Sequence, residues 1–108
     1  QGFAMVPTGV KAYMQADEVL LLYIRSSMAV KRQLMLMNGV AVIDADYYGN
    51  ADNEGHIIVP LYNYGREPVS IAAGERIAQG IFTRYLTADG DMAGCGRVRS
   101  GGFGSTGA

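Results

Sequence analysis

Apolar residues in this chain come in short β-prone runs, each bounded by glycine, proline, asparagine or aspartate. Glu18-Val19-Leu20-Leu21-Leu22-Tyr23-Ile24 is the first such run. Gln33-Leu34-Met35-Leu36-Met37 passes through Asn38-Gly39 into Val40-Ala41-Val42-Ile43. His56-Ile57-Ile58-Val59-Pro60-Leu61-Tyr62, Pro68-Val69-Ser70-Ile71-Ala72 and Arg76-Ile77-Ala78-Gln79-Gly80-Ile81-Phe82 follow. Short strands at this spacing predict an all-β barrel or sandwich. Tyr64-Gly65-Arg66-Glu67-Pro68 and Ala73-Gly74-Glu75-Arg76 carry turn chemistry. The one helical candidate is a turn or two over Ser26-Ser27-Met28-Ala29-Val30-Lys31. Past Leu86 the composition shifts to glycine with little apolar content. Residues 1–86 therefore read as the barrel and 87–108 as a flexible Gly-rich C-terminal arm. Such an arm cannot order itself and must lie on its own sheet or on a neighbouring subunit. Met28, Met35 and Met37 could serve a subunit contact or the core.

Composition narrows the partners. The 108 residues suffice for one domain, and a 49% hydrophobic content supports a core. A net charge of -1 argues against a broad nucleic-acid or membrane surface, because both need a basic excess. A small molecule gripped by a few placed cations fits better. Cys95 is the sole cysteine, which excludes an internal disulfide and fits a reducing, cytoplasmic setting. No apolar run reaches the roughly 18 residues of a membrane span. Gln1 stands first in place of methionine, and Gln1-Gly2-Phe3-Ala4-Met5-Val6-Pro7 reads like entry into mid-domain structure, so upstream residues are expected.

Three segments carry candidate chemistry. The tail Arg99-Ser100-Gly101-Gly102-Phe103-Gly104-Ser105-Thr106-Gly107 combines a cation, a ring and hydroxyls in a glycine backbone. That content suits closure over a ligand with a flat ring and an anion, a nucleotide being the simplest, or else it is a floppy terminus. Asp44 follows Ile43 in Asp44-Ala45-Asp46-Tyr47-Tyr48-Gly49, so it is expected at a strand end, partly desolvated. A carboxylate there could act as a base toward water or position a metal, or the segment is an Asp-rich turn. Tyr47 could stack on a sugar or sit on the sheet surface. Arg25-Ser26-Ser27 follows a strand, where amides and hydroxyls can hold phosphate oxygens, or Ser caps the helix beside a solvated arginine.

Other patterns carry less. Gly102-x-Gly104-x-x-Gly107 matches a dinucleotide fingerprint only formally, with no strand before it. One histidine and one cysteine make no zinc site, and His56 has no evident nucleophile to serve.

The order of these segments is specific. Arg25-Ser26-Ser27-Met28-Ala29 comes first, then Asn38-Gly39-Val40-Ala41-Val42-Ile43-Asp44-Ala45-Asp46-Tyr47-Tyr48-Gly49. Gly74-Glu75-Arg76-Ile77-Ala78-Gln79 and the Arg99–Gly107 tail follow. Together they resemble the second to fifth motifs of the trimeric dUTP diphosphatases (dUTPases), and Val6-Pro7-Thr8-Gly9-Val10 resembles the strand before the second motif.

The resemblance implies a distorted jelly-roll barrel, a homotrimer with shared sites, and hydrolysis of dUTP to dUMP and diphosphate. That reaction limits uracil in DNA and supplies dUMP for dTMP synthesis. Asn38 would read the uracil edge in a β-hairpin pocket to which Val40 and Ala41 contribute. Tyr47 would lie under the deoxyribose and exclude a 2′-hydroxyl. Asp44 would orient and deprotonate the water that attacks the α-phosphorus. Arg25, Ser26, Ser27 and Gln79 would hold the phosphate chain, with Ser26 near the α–β bridge. Arg99, Ser105 and Thr106 would grip the γ-phosphate, and Phe103, beside Gly104, would stack over the uracil as the arm closes on a neighbouring site. Magnesium would ride on the triphosphate, held through water rather than by a protein ligand set.

Two departures accompany the resemblance. The first motif, an Ala-Gly-x-Asp-like stretch upstream of Val6, is not in this sequence, and Ala41 stands where the family usually has glycine. Asn50 to His56 resembles an insertion of some bacterial and phage members and receives no chemistry. The first departure keeps a second class of function in view, a dUTPase-like nucleotide- or protein-binding regulator. A dCTP deaminase, which shares the fold, fits less well with Tyr47 and the Phe103 tail.

Overall fold

The computed structural model describes residues 2–88. Within them the regular structure is nearly all strand: β1 (Gly2–Pro7), β2 (Glu18–Ile24), α1 (Ser26–Val30), β3 (Leu34–Leu36), β4 (Ala41–Asp44), β5 (Ile58–Asn63) and β6 (Ala78–Arg84). A 3₁₀ turn over Ala45–Tyr47 follows β4 directly. Two antiparallel three-stranded sheets result, one ordered β1-β5-β3 and the other β4-β2-β6. This is the all-β architecture that the strand pattern predicts, in the jelly-roll form that the resemblance implies.

The core lies between the two sheets. Leu20 and Leu22 project from β2 into a cluster with Leu34 and Leu36 of β3 and with Val59 and Leu61 of β5. Alternation along each strand explains the selection, since successive side chains point to opposite faces. In β4, Ala41 is buried, Val42 is exposed and Ile43 packs against the core. Met28 of α1 is buried as a lid on the cluster, whereas Met35 and Met37 are exposed. Of the three methionines weighed for core or contact, only Met28 is a core residue.

Two local expectations need correction. Pro68–Ala72 forms no strand but an irregular segment. Arg32 holds it, donating to the Ser70 carbonyl and to Glu75 Oε2 at 2.5 Å. Its side-chain tie replaces a strand ladder. Asn38-Gly39 is a turn, with Gly39 at φ +75°, but β3 and β4 do not pair across it. The turn instead carries the chain from one sheet to the other. Pro60, within the expected strand run, lies in the middle strand of its sheet although proline lacks a ladder donor. The β3 ladder stops at the Leu36–Leu61 pair, one residue short of Pro60, whose carbonyl accepts the Met37 N–H at 2.9 Å.

The segment from Asn50 to His56 folds back on the 3₁₀ turn. Asn50 is buried at 2% exposure, and the Asn53 and Glu54 N–H groups donate to its carbonyl. Gly55 has φ +86°, and a Cβ there would stand 2.7 Å from the Tyr47 carbonyl oxygen and 2.9 Å from Tyr48 Cα. Backbone against backbone leaves no side chain to move aside. Gly55→Ala should therefore lower unfolding free energy by about 1–3 kcal/mol, read by denaturant titration. Asparagine tolerates the left-handed conformation but keeps the Cβ, so Gly55→Asn should fall similarly. A fully stable Asn variant would remove the close approach as the cause.

Candidate nucleotide site

The register of β2 determines which candidate residues meet. Tyr23 pairs with Gln79 and Ile24 with Ala78, and the Arg25 N–H donates to the Ile77 carbonyl at 3.1 Å. The end of β2 and the start of β6 thus bring Arg25 and Ser26 beside Gln79. Arg25 also occupies the N-cap position of α1, without a side-chain cap hydrogen bond, and Ser26 and Ser27 open the helix as exposed residues. The serine-capped alternative is thereby set aside. One cation, two hydroxyls and one amide gather at one end of the sheet, a donor set suited to phosphate oxygens.

Two residues not singled out in the sequence support this end. The Arg32–Glu75 pair, both about a third exposed, joins the turn after α1 to the segment leading into β6. Glu75 Oε1 also accepts the Ala72 N–H at 3.1 Å, so one carboxylate closes its own turn and anchors it to Arg32. The opposite charges at 32 and 75 were visible in the sequence; their meeting across 43 residues was not.

Asp44 stands at the opposite end. It closes β4, half-buried, in register with Val19 near the start of β2. Val19 and Ile24 are separated by five strand steps, roughly 17 Å at the usual rise. Asp44 therefore sits at a strand end as expected, yet far from Arg25, Ser26 and Gln79 of its own chain.

The Asn38–Tyr47 segment runs along the edge of the sheet. Asn38 and Val40 are exposed at the turn before β4. The Ala41 side chain packs into the core opposite Leu22, so its methyl points away from the outer edge. Tyr47 packs partly against the core, and its hydroxyl donates to the His56 carbonyl at 2.8 Å. Arg99, Phe103, Gly104, Ser105 and Thr106 lie outside the described residues.

A groove of about 720 Å³ opens between the sheets, with Arg25 and Gln79 at its rim and Leu20, Leu22, Ile57 and Val59 among its walls. Asp44, Asn38 and Tyr47 are not part of it. Among the described residues no three His, Cys, Asp or Glu side chains gather to encircle a metal. No helix among them is long and apolar enough to cross a membrane.

Comparison with known proteins identifies the family. The dUTPase family model matches residues 1–107. The deoxyuridine 5′-triphosphate nucleotidohydrolase of Lactococcus lactis subsp. lactis (strain IL1403) is 55% identical over 104 residues, covering 96% of this chain and 69% of that protein. The protein of the same name from Desulfitobacterium hafniense (strain DSM 10664 / DCB-2) is 39% identical over 109 residues, with 94% and 66% covered. The crystal structure of dUTPase from Streptococcus mutans superposes with a TM-score of 0.79 at 52% identity, over 82% of this chain and 70% of that one. The chain spans about two thirds of the length of these relatives. Its motifs, its jelly-roll sheets and the extent of these matches place the chain in the dUTPase family.

Proposed function

We propose that the protein is a dUTP diphosphatase whose sites are each completed by more than one copy of the chain. The observation that carries the second half is the separation within one chain. A water activated by Asp44 must come within about 3–3.5 Å of phosphorus, whereas Arg25, Ser26 and Gln79 lie a strand length away. A homotrimer resolves this by setting the Asp44 end of one subunit against the Arg25 end of another.

In such a site Arg25, Ser26, Ser27 and Gln79 bind the phosphate chain of dUTP. Asn38 pairs with the uracil edge, with the backbone at Val40 and Ala41 beside it, and Tyr47 underlies the deoxyribose. Asp44 takes a proton from water as the oxygen attacks the α-phosphorus. The bond to the α–β bridging oxygen breaks, and diphosphate leaves dUMP behind. Magnesium, carried on the triphosphate and held through water, would neutralise charge there. The gathered side chains suit this arrangement, because a cation, hydroxyls and an amide favour phosphate oxygens over a metal. Residues 87–108 act as the arm that closes over a neighbouring site: Arg99, Ser105 and Thr106 hold the γ-phosphate, Gly104 lets the backbone approach and Phe103 covers the base. The cytoplasm is the compartment where such an enzyme meets its substrate.

Product analysis with dUTP and magnesium should show dUMP and diphosphate, with UTP and dTTP largely untouched. Asp44→Asn should lose well over tenfold in kcat, given the usual worth of a general base; a smaller loss would sink its role. Chains carrying Asp44→Asn and chains carrying Arg25→Ala should each be inactive. Unfolded and refolded together at equal amounts, they should regain activity at about a quarter of sites if subunits mix at random. No recovery in mixed trimers would place both residues in one chain's site. Removing Arg99–Ala108 should preserve folding and assembly while most turnover disappears; unchanged turnover would reduce the tail to a passive terminus.

A further inference from the structure

Tyr47 is held by a loop to which the sequence assigns no chemistry. Its hydroxyl donates to the His56 carbonyl at 2.8 Å and accepts from Asn53 Nδ2, also at 2.8 Å. The phenol proton is committed to His56, so the Asn53 amide must present its NH₂ to that oxygen. Its other end agrees, because Asn53 Oδ1 accepts the Gly55 N–H at 3.0 Å. The loop is fixed in turn. The Asn53 and Glu54 N–H groups donate to the Asn50 carbonyl, and the His56 N–H donates to the Asn53 carbonyl. His56 Nε2 accepts the Gly9 N–H at 2.9 Å, and the Ile57 N–H donates to the Val10 carbonyl. The tip of Tyr47 is thus clamped from two directions by a segment stapled to the chain ahead of β2.

We propose that Asn53 is a positioning residue for sugar discrimination: through the Tyr47 hydroxyl it makes the ring a rigid wall that turns away a 2′-hydroxyl. This rests on the reading of Tyr47 as the surface beneath the deoxyribose. A wall excludes an added oxygen only if it does not yield, and an aromatic ring anchored solely by packing can tilt. Two hydrogen bonds at the hydroxyl, one donated and one accepted, oppose that tilt. Asn53 contributes nothing to water activation, so its effect falls on the choice between dUTP and UTP rather than on turnover.

The test is a double-mutant cycle in the full-length protein, read as the ratio of kcat/KM for dUTP to that for UTP. Asn53→Ala should lower the ratio about three- to tenfold, the usual worth of one net hydrogen bond, with kcat on dUTP little changed. Tyr47→Phe, which loses both hydrogen bonds of the hydroxyl, should lower it at least as far. In the Tyr47→Phe background Asn53→Ala should add nothing, because the oxygen through which it acts is gone. A purely structural role, exerted through the Gly55 N–H, would instead lower the ratio equally in both backgrounds and overturn the proposal. So would an unchanged ratio in either single variant; if Asn53→Ala fails to fold, Asn53→Asp, which keeps the acceptor for the Gly55 N–H but has no N–H to give Tyr47, takes its place in the cycle. A wild-type protein that hydrolyses dUTP without preferring it to UTP overturns both this proposal and the reading of Tyr47. One that keeps its preference through every variant overturns only the role of Asn53.

Discussion

The pairing of β2 with a neighbour on each side is the constraint from which the rest of the molecule follows. Its ladder with β6 brings the second and fourth motifs together, and its ladder with β4 sets Asp44 of the third motif at the other end. Its inward residues Leu20 and Leu22 supply one wall of the core. A slip of one residue would exchange core and solvent faces and separate Tyr23 from Gln79 at the same time. Stability and site geometry therefore depend on one register. Burying each leucine is worth about 1.5–3 kcal/mol, enough to make such a slip prohibitive.

Side-chain ties complete what the ladders leave open. Arg32 and Glu75 hold the segment before β6, where no strand forms, and so steady the approach to Gln79. At the other end, Asn53 and His56 hold the Tyr47 hydroxyl, and Gly55 lies against the Tyr47 backbone. Both devices join residues of irregular backbone to a regular element. Each site end is thereby braced by polar contacts outside the sheets, where hydrogen bonds to charged or partly buried groups contribute most.

Much of the fold was legible in the chain. The runs at Glu18–Ile24 and in the His56–Tyr62 region are short, continuously apolar and β-prone, and both became strands. Asp44 could be placed at a strand end because it follows Val42 and Ile43 and precedes turn residues. Pro68–Ala72 misled, since its apolar pattern meets the core through Val69 and Ile71 without any ladder partner. The Asn38-Gly39 turn misled for a related reason: a local signal names a turn but not which strands flank it in space. In the site, the motif residues were readable by type and order. Arg32 and Asn53 were not, because each acts through contacts that only the folded chain creates.

The sequence by itself determined that this is an all-β chain, where its principal strands lie, and in what order the residue types of its motifs follow one another. These properties reside in local periodicity and side-chain type, which need no neighbours to be read. Only the tertiary structure decided that Arg25 joins Gln79 while Asp44 lies at the far end, and that the Asn50–His56 segment supports Tyr47. Those outcomes depend on strand partner and register, and both are selected by burial across the whole chain rather than by any segment alone.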